Sequence, residues 1–585
     1  MQGGERGEVR GVLMGTPQRR ASEPTPQMGL FGQPARLRGR RRDLWWTVTV
    51  AGFLTVLAFL VYPLATVLVT SFSGEEKRFV LAANYERFFT HRYYYSSIIN
   101  SLYLSTLATL GALVLGTSLA FAVARYPLPG KPFLRAAANL ALLSPPFIGA
   151  YSWVVLFGRM GLVNQLLGYV GWSLPTIYGW RGILLVFIVQ YFPFVFLLVS
   201  GALRSVDQSI EDAALSLGSR PRRALTTAIL PILAPSLTAG GLLVFMGTMA
   251  DFGTPMIIGE GLRTLPTLMY GEFMNELGGN PAMASTLGSL LILVNTAALM
   301  AQRYYAFRKA YNVVCIQPLR VKRASRGRLL PLTVFAYAVV CVALIPAVTI
   351  IISSFMPTKG PVMYAGFSLQ SYETIFFRVP RAIANTFGLT ALAVVLDVFL
   401  GVLIAYLLAR RRSRAHALLD SLIMLAYAIP GTVVGVGLIV VYNQPPVILT
   451  GTWIILLVSY FIRHLPYPVR ACTAMLQQID VRVEEASVSL GVPPFRTFLK
   501  VTIPLMFPAI VSGAALAWMT TIGELSSSIL LYSGPWATMS VAIFTEVFSN
   551  HFGTASALAS ILIVAAFVPL FLTYRVLGER GAMGV

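Results

Sequence analysis

Charge is what this chain is short of. Asp, Glu, Lys and Arg make up only 12% of its 585 residues, against 56% hydrophobic, a balance too apolar for a soluble domain. Acid is scarcest, with 23 Asp and Glu against 45 Lys and Arg and a formal net charge of +22. Three cysteines (Cys315, Cys341, Cys472) build no disulfide framework. Cys341 and Cys472 lie in apolar runs, where a thiol serves packing. The four histidines (His91, His416, His464, His551) show no metal-ligand spacing, and His464 reads as an interfacial residue. No Ser/His/Asp set or paired carboxylates mark an enzyme centre. A phosphate-binding loop is missing too: Gly130-Lys131 runs into Pro132, with no upstream glycine and no Ser or Thr. Any ATP chemistry must belong to another chain.

Apolar runs of about twenty residues fill the space that charge leaves, each long enough to cross a hydrocarbon core of about 30 Å. The sequence predicts an all-α integral membrane protein with twelve spans. Six fall at about 45–71, 98–124, 133–157, 181–202, 233–251 and 284–306. Six more fall at about 329–356, 383–409, 416–442, 450–472, 507–530 and 553–576. Residues 1–44 are polar and rich in Gly, Pro and Arg, which predicts a disordered basic arm. The run from Trp45 is too long for a signal peptide, and no small-residue cleavage site follows it. Arg125, Lys131 and Arg135, the arginines of 303–328, and Arg410, Arg411, Arg412 and Arg414 all fall on one side of a twelve-span chain. The positive-inside bias makes that side, with both termini, cytoplasmic. The basic excess is thus a topology and lipid-surface signal. It lacks the aromatic interleaving of a nucleic-acid site, so no nucleic-acid partner is expected.

One stretch is written twice. Glu211-Asp212-Ala213-Ala214-Leu215-Ser216-Leu217-Gly218 leads to Leu230-Pro231, and Glu484-Glu485-Ala486-Ser487-Val488-Ser489-Leu490-Gly491 leads to Ile503-Pro504, 273 residues later. Pro193 and Pro466, Leu203 and Leu476, Asp207 and Asp480, and Pro235 and Pro508 keep that register. Upstream, Asn100-Ser101-Leu102 matches Asn385-Thr386-Phe387, Arg125 matches Arg410, and Pro145 matches Pro430, all 285 apart. The second copy is therefore twelve residues shorter, a deficit that fits the outer segment holding Gly158–Gly179. The chain is two copies of one unit. Each crosses an even number of times, so the halves are parallel, related by an axis along the membrane normal. The units are 45–306 and 329–578, joined by an Arg-rich cytoplasmic linker at 307–328. Within the repeated loop Asp207 and Asp480 can cap a short helix. Acid fills its first turns, and Gly218 and Gly491 stand at its C-terminal end.

This loop resembles the Glu-Ala-Ala ("EAA") loop of ABC-importer permeases, with Asp212 in place of a Glu in copy one and Ser487 in place of an Ala in copy two. The resemblance covers about residues 95–305 and 380–578. It implies that Glu211, Asp212, Ala213, Ala214 and Gly218, with Glu484, Glu485, Ala486 and Gly491, form coupling helices that dock on two ATP-binding subunits. It implies that ATP and its magnesium sit on those partners, that this chain binds no cofactor, and that an extracytoplasmic binding protein delivers the solute. The fused pair of units is similar to ferric-iron-type importers. Thiamine, aminoethylphosphonate, sugar-phosphate and polyamine importers of the same build stay open as alternatives.

After each fifth span comes a carboxylate in the same register: Asp251 in Ala250-Asp251-Phe252-Gly253-Thr254-Pro255, and Glu524 in Gly523-Glu524-Leu525-Ser526-Ser527-Ser528. A carboxylate at membrane depth is costly unless paired or wet. Gly253, Pro255 and the serines predict broken helix, tolerated only where it lines a cavity. Asp251, Glu524, Ser526 and Ser527 are the candidates for a translocation path. The competing reading makes both acids helix-end charges at the outer interface. Ser285 and Ser556 read as close-packing residues. The rival class of function, an ion-coupled secondary transporter, would not need the duplicated loop.

Overall fold

The computed structural model describes residues 44–73, 83–275, 279–308, 317, 319–321, 325–411 and 413–582. The basic arm 1–44, apart from its last residue, and most of the 307–328 linker lie outside the described residues. From Trp45 the chain forms one unit.

The long apolar runs fold as helices because only a helix satisfies every backbone group within the segment. Ten helices are long and apolar enough to cross a membrane, and a bent pair, Arg414–Ala428 and Gly431–Tyr442, makes an eleventh. The twelfth expected span, 450–472, lies on helices Trp453–His464 and Pro466–Gln478. The break at Leu465 and the polar Arg463, His464 and Arg470 dilute its hydropathy. Its first-half counterpart, Trp180–Ser205, runs through Pro193 unbroken. The only strands among the described residues are two two-stranded hairpins.

The third spans depart from the straight helices predicted. In the second half the chain turns by 108° between Ala428 and Gly431. In the first half helix Lys131–Leu140 ends, and a new one begins at Pro146. The cause is local. Ser144 and Ile429 precede prolines and are extended, with ψ of 126° and 130°, because proline excludes the helical conformation from the residue before it. The twelve-residue deficit falls between the third and fourth spans: helix Leu162–Gly168 occupies that segment in the first half, and the shorter hairpin of Asn443–Gln444 with Val447–Ile448 occupies it in the second.

The repeat reaches into side-chain contacts. In the first half the Tyr85 hydroxyl meets Ser71 Oγ at 2.9 Å and Ser289 Oγ at 2.7 Å. In the second, the Tyr372 hydroxyl meets Ser354 Oγ at 2.9 Å and Ser560 Oγ at 2.8 Å. Each knot ties a first span to a sixth through a short amphipathic helix. The first spans also cross over. Trp45 stacks on Tyr406 with centroids 4.3 Å apart, and Tyr442 donates to Ala58 O at 3.0 Å. In return Tyr337, on helix Arg326–Ser354, donates to Pro129 O at 3.1 Å. Each opening helix packs on the other half. Ser285 and Ser556 are fully buried, and Ser556 Oγ lies 2.9 Å from the Tyr151 hydroxyl and 3.0 Å from Ser353 Oγ, a packing contact between halves.

Candidate functional site

The repeated loops fold as two short helices, Gln208–Ser216 and Val481–Ser489. Asp207 caps the first by accepting from the Ser209 N–H at 2.8 Å, and Asp480 caps the second by accepting from the Arg482 N–H at 3.0 Å. Both close with the same motif. The Ser219 N–H donates to Ala214 O and the Gly218 N–H to Leu215 O; Val492 and Gly491 do the same to Ser487 O and Val488 O. This closure needs a left-handed residue, and Gly218 and Gly491 supply it with φ of +82° and +87°.

The acids of the loop divide by direction. Asp212 and Glu485 are exposed, as are Ala213, Ala486 and both closing glycines, while Ala214 is half-buried. Leu217 and Leu490 stand out at 87% and 85% exposed. Glu211 and Glu484 point inward and are buried. Glu211 is ion-paired with Arg125, at the end of the second span. Glu484 accepts from Arg410 Nε at 2.9 Å and from the Tyr406 hydroxyl at 3.1 Å, and Arg410 also donates to Ile479 O at 2.9 Å. In the sequence Arg125 and Arg410 stand as topology charges and as a matched pair of the repeat, and both glutamates fall in the docking motif. The structure joins them, so each loop is bolted to its own membrane helix. The first loop carries a further tie: Gln317 N donates to Asp207 Oδ2, Arg320 N donates to Gln208 Oε1, and Gln208 N donates to Gln317 O, each at 2.9 Å.

Between the halves lies a cavity of about 320 Å³. Its walls come in register pairs: Gln190 and Arg463, Tyr191 and His464, Phe194 and Tyr467, Met246 and Met519, Asp251 and Glu524. Both helix breaks border it, through Ser144-Pro145-Pro146 and Ala428-Ile429 with Gly431, as irregular backbone in a membrane protein requires. Asp251 and Glu524 thus face this cavity rather than an outer interface. Ser526 lines it too. Ser527 is buried behind it and holds Glu524 Oε1, with N–H and Oγ at 3.0 and 3.3 Å.

The two carboxylates are held differently. Asp251 accepts from the Thr254 N–H at 3.0 Å and the Thr254 hydroxyl at 3.1 Å, and among the described residues it has no ion pair. Glu524 is ion-paired with Arg463, 2.5 Å from Nη1, and His464 Nε2 lies 4.0 Å away. His464 is therefore a buried cavity residue, not an interfacial one: its Nδ1 lies 2.8 Å from Tyr460 O and its ring stacks on Tyr467. Gly431 makes the ion pair possible, because a Cβ there would lie 2.6 Å from Arg463 Nη1 and 2.9 Å from Glu524 Oε1. Sequence reasoning missed Arg463, although a lone arginine inside an apolar run was a visible sign.

This arrangement, a duplicated membrane body with a cavity lined from both halves and matched surface helices, defines a class. The family of binding-protein-dependent transport system inner membrane components matches residues 112–311 and 397–580, once in each half. The chain belongs to this family, so it is an ABC-importer permease and a multi-pass inner-membrane protein; such permeases work with ATPase and substrate-binding partners. Among similar curated proteins, the ferric transport system permease protein FbpB of Actinobacillus pleuropneumoniae is 28% identical over 535 residues, 90% of this chain and 77% of that one. The Fe(3+)-transport system permease protein FbpB 2 of Haemophilus influenzae is 26% identical over 477 residues, 81% and 88% of the two chains.

Proposed function

We propose that the chain forms the translocation path of a ferric-iron importer, and that the cavity between its halves is the central part of that path. The register-matched lining carries this reading: two copies of one unit place a carboxylate each, Asp251 and Glu524, on one cavity. Acid suits a cationic solute, and the iron permeases among the relatives support iron. The two short helices at 208–216 and 481–489 dock one ATPase subunit each, on the cytoplasmic side with both termini. ATP and magnesium stay on those subunits, and a binding protein delivers solute to the outer face. Because Arg125–Glu211 and Arg410–Glu484 fasten each docking helix to a membrane helix, movement of the ATPases reaches the halves as rocking, and the cavity opens to each side in turn. An ion-coupled transporter would need no such fastening.

The test is uptake of radiolabelled ferric iron by cells that carry this importer. Deleting the chain should abolish uptake, and Asp251→Asn should lower it by about tenfold or more, the scale of one lost charge interaction with the cation. Uptake unchanged on deletion would exclude iron, and uptake unchanged in Asp251→Asn would exclude this path.

A further inference from the structure

The two halves are alike in register but not in charge. At the position where the first half has Gln190, the second has Arg463. Gln190 is neutral and is held elsewhere: its Nε2 donates to Ser144 O at 2.5 Å and so braces the broken third span. Arg463 instead meets Glu524, and its Nε is buried with no acceptor among the described residues. Glycine at 431 leaves the room that the guanidinium occupies. The cavity therefore holds two carboxylates and one fixed cation.

We propose that Arg463 is a built-in counter-ion that sets the charge of the path, so that a passing cation meets one uncompensated carboxylate, Asp251, rather than two. This rests on the cavity being the path. A narrow site with two free acids would hold a multiply charged cation too tightly to release it, since conduction needs binding that is favourable yet escapable. Arg463 removes one of the two. It is a specificity-determining residue, and the solute class it selects is a cation, met by a single acid from the first half.

The experiment uses the complete importer and reads two quantities: uptake of radiolabelled ferric iron, and ATP hydrolysis stimulated by the importer's own loaded binding protein. Membrane levels are checked by immunoblot. Arg463→Gln copies the first half and frees the second acid; both readouts should fall about tenfold. Glu524→Gln, which leaves a guanidinium facing the cation, should fall further, and Arg463→Gln combined with Glu524→Gln should recover to within about threefold of the unsubstituted protein. Arg463→Lys keeps the charge and should retain most of the uptake. A double variant no better than Glu524→Gln alone, or Arg463→Lys as poor as Arg463→Gln, overturns the proposal, because shape and not charge is then what matters. Asp251→Asn separates the two levels. If it leaves both readouts intact, the path and this proposal fall together. If it stops them while the Arg463 and Glu524 variants match the unsubstituted protein, only the counter-ion is wrong. If iron is not taken up yet ATP hydrolysis follows the expected order, iron is wrong and the counter-ion stands.

Discussion

Replacing Gly218 and Gly491 together by arginine should abolish uptake while leaving the protein inserted at its normal level. Both positions are left-handed, and nothing lies within 4 Å of a Cβ built on either. An arginine there costs about 1 kcal/mol of backbone strain at each site, too little to unfold a body this size. What it changes is the surface. It sets a long cation beside the protruding Leu217 and Leu490, in the middle of the face proposed to meet the ATPase. Buried charge at an interface without a partner is strongly unfavourable, so the ATPase should no longer copurify. Normal uptake, or normal copurification, in the double variant would defeat the docking assignment.

The second large effect lies one layer deeper. Arg125→Ala should remove the guanidinium that pairs with the buried Glu211, a loss of up to about 3–5 kcal/mol where a buried pair is broken. The side chains of Arg125 and Glu211 are only 5% and 3% exposed, so water can do little to compensate. The first docking helix should come loose from the second span while the span itself stays in place. The expected result is an importer that still binds ATPase weakly but hydrolyses ATP without moving solute. Arg410→Ala should loosen the second docking helix in the same way, with Tyr406 still donating to Glu484. Exchanging the first pair, Arg125→Glu with Glu211→Arg, should recover part of the coupling. If Arg125→Ala transports normally, the ion pair does not carry the stroke.

Much of the fold is legible in the sequence because it is written in local terms. The twenty-residue apolar runs, the twofold register and the Asp-cap and Gly-stop of the short helices all need only neighbours along the chain. The twelve-residue deficit could be placed for the same reason. Most of the misses are long-range. Arg125 and Glu211 are visible as residues, but their pairing spans 86 positions, and each alone looks like an ordinary surface charge. The bend after Ala428 was hidden because a proline within an apolar run is compatible with either a kink or a full break. Arg463 could have been found by carrying the 273-residue register from Asp251 and Glu524 back to the fourth spans, which would have set Gln190 beside it. His464 misled because its position in a polar patch at a helix end fits an interface as well as a cavity wall. The passage of each opening helix onto the opposite half leaves no local mark at all.

That last feature bears on how such a protein can be taken apart. Trp45 and Ala58 are lodged among residues beyond 400, and Tyr337 reaches back to Pro129. Two polypeptides cut within 307–328 and made side by side should reassemble like clasped hands, whereas either fragment produced alone would expose the groove that its missing twin should fill.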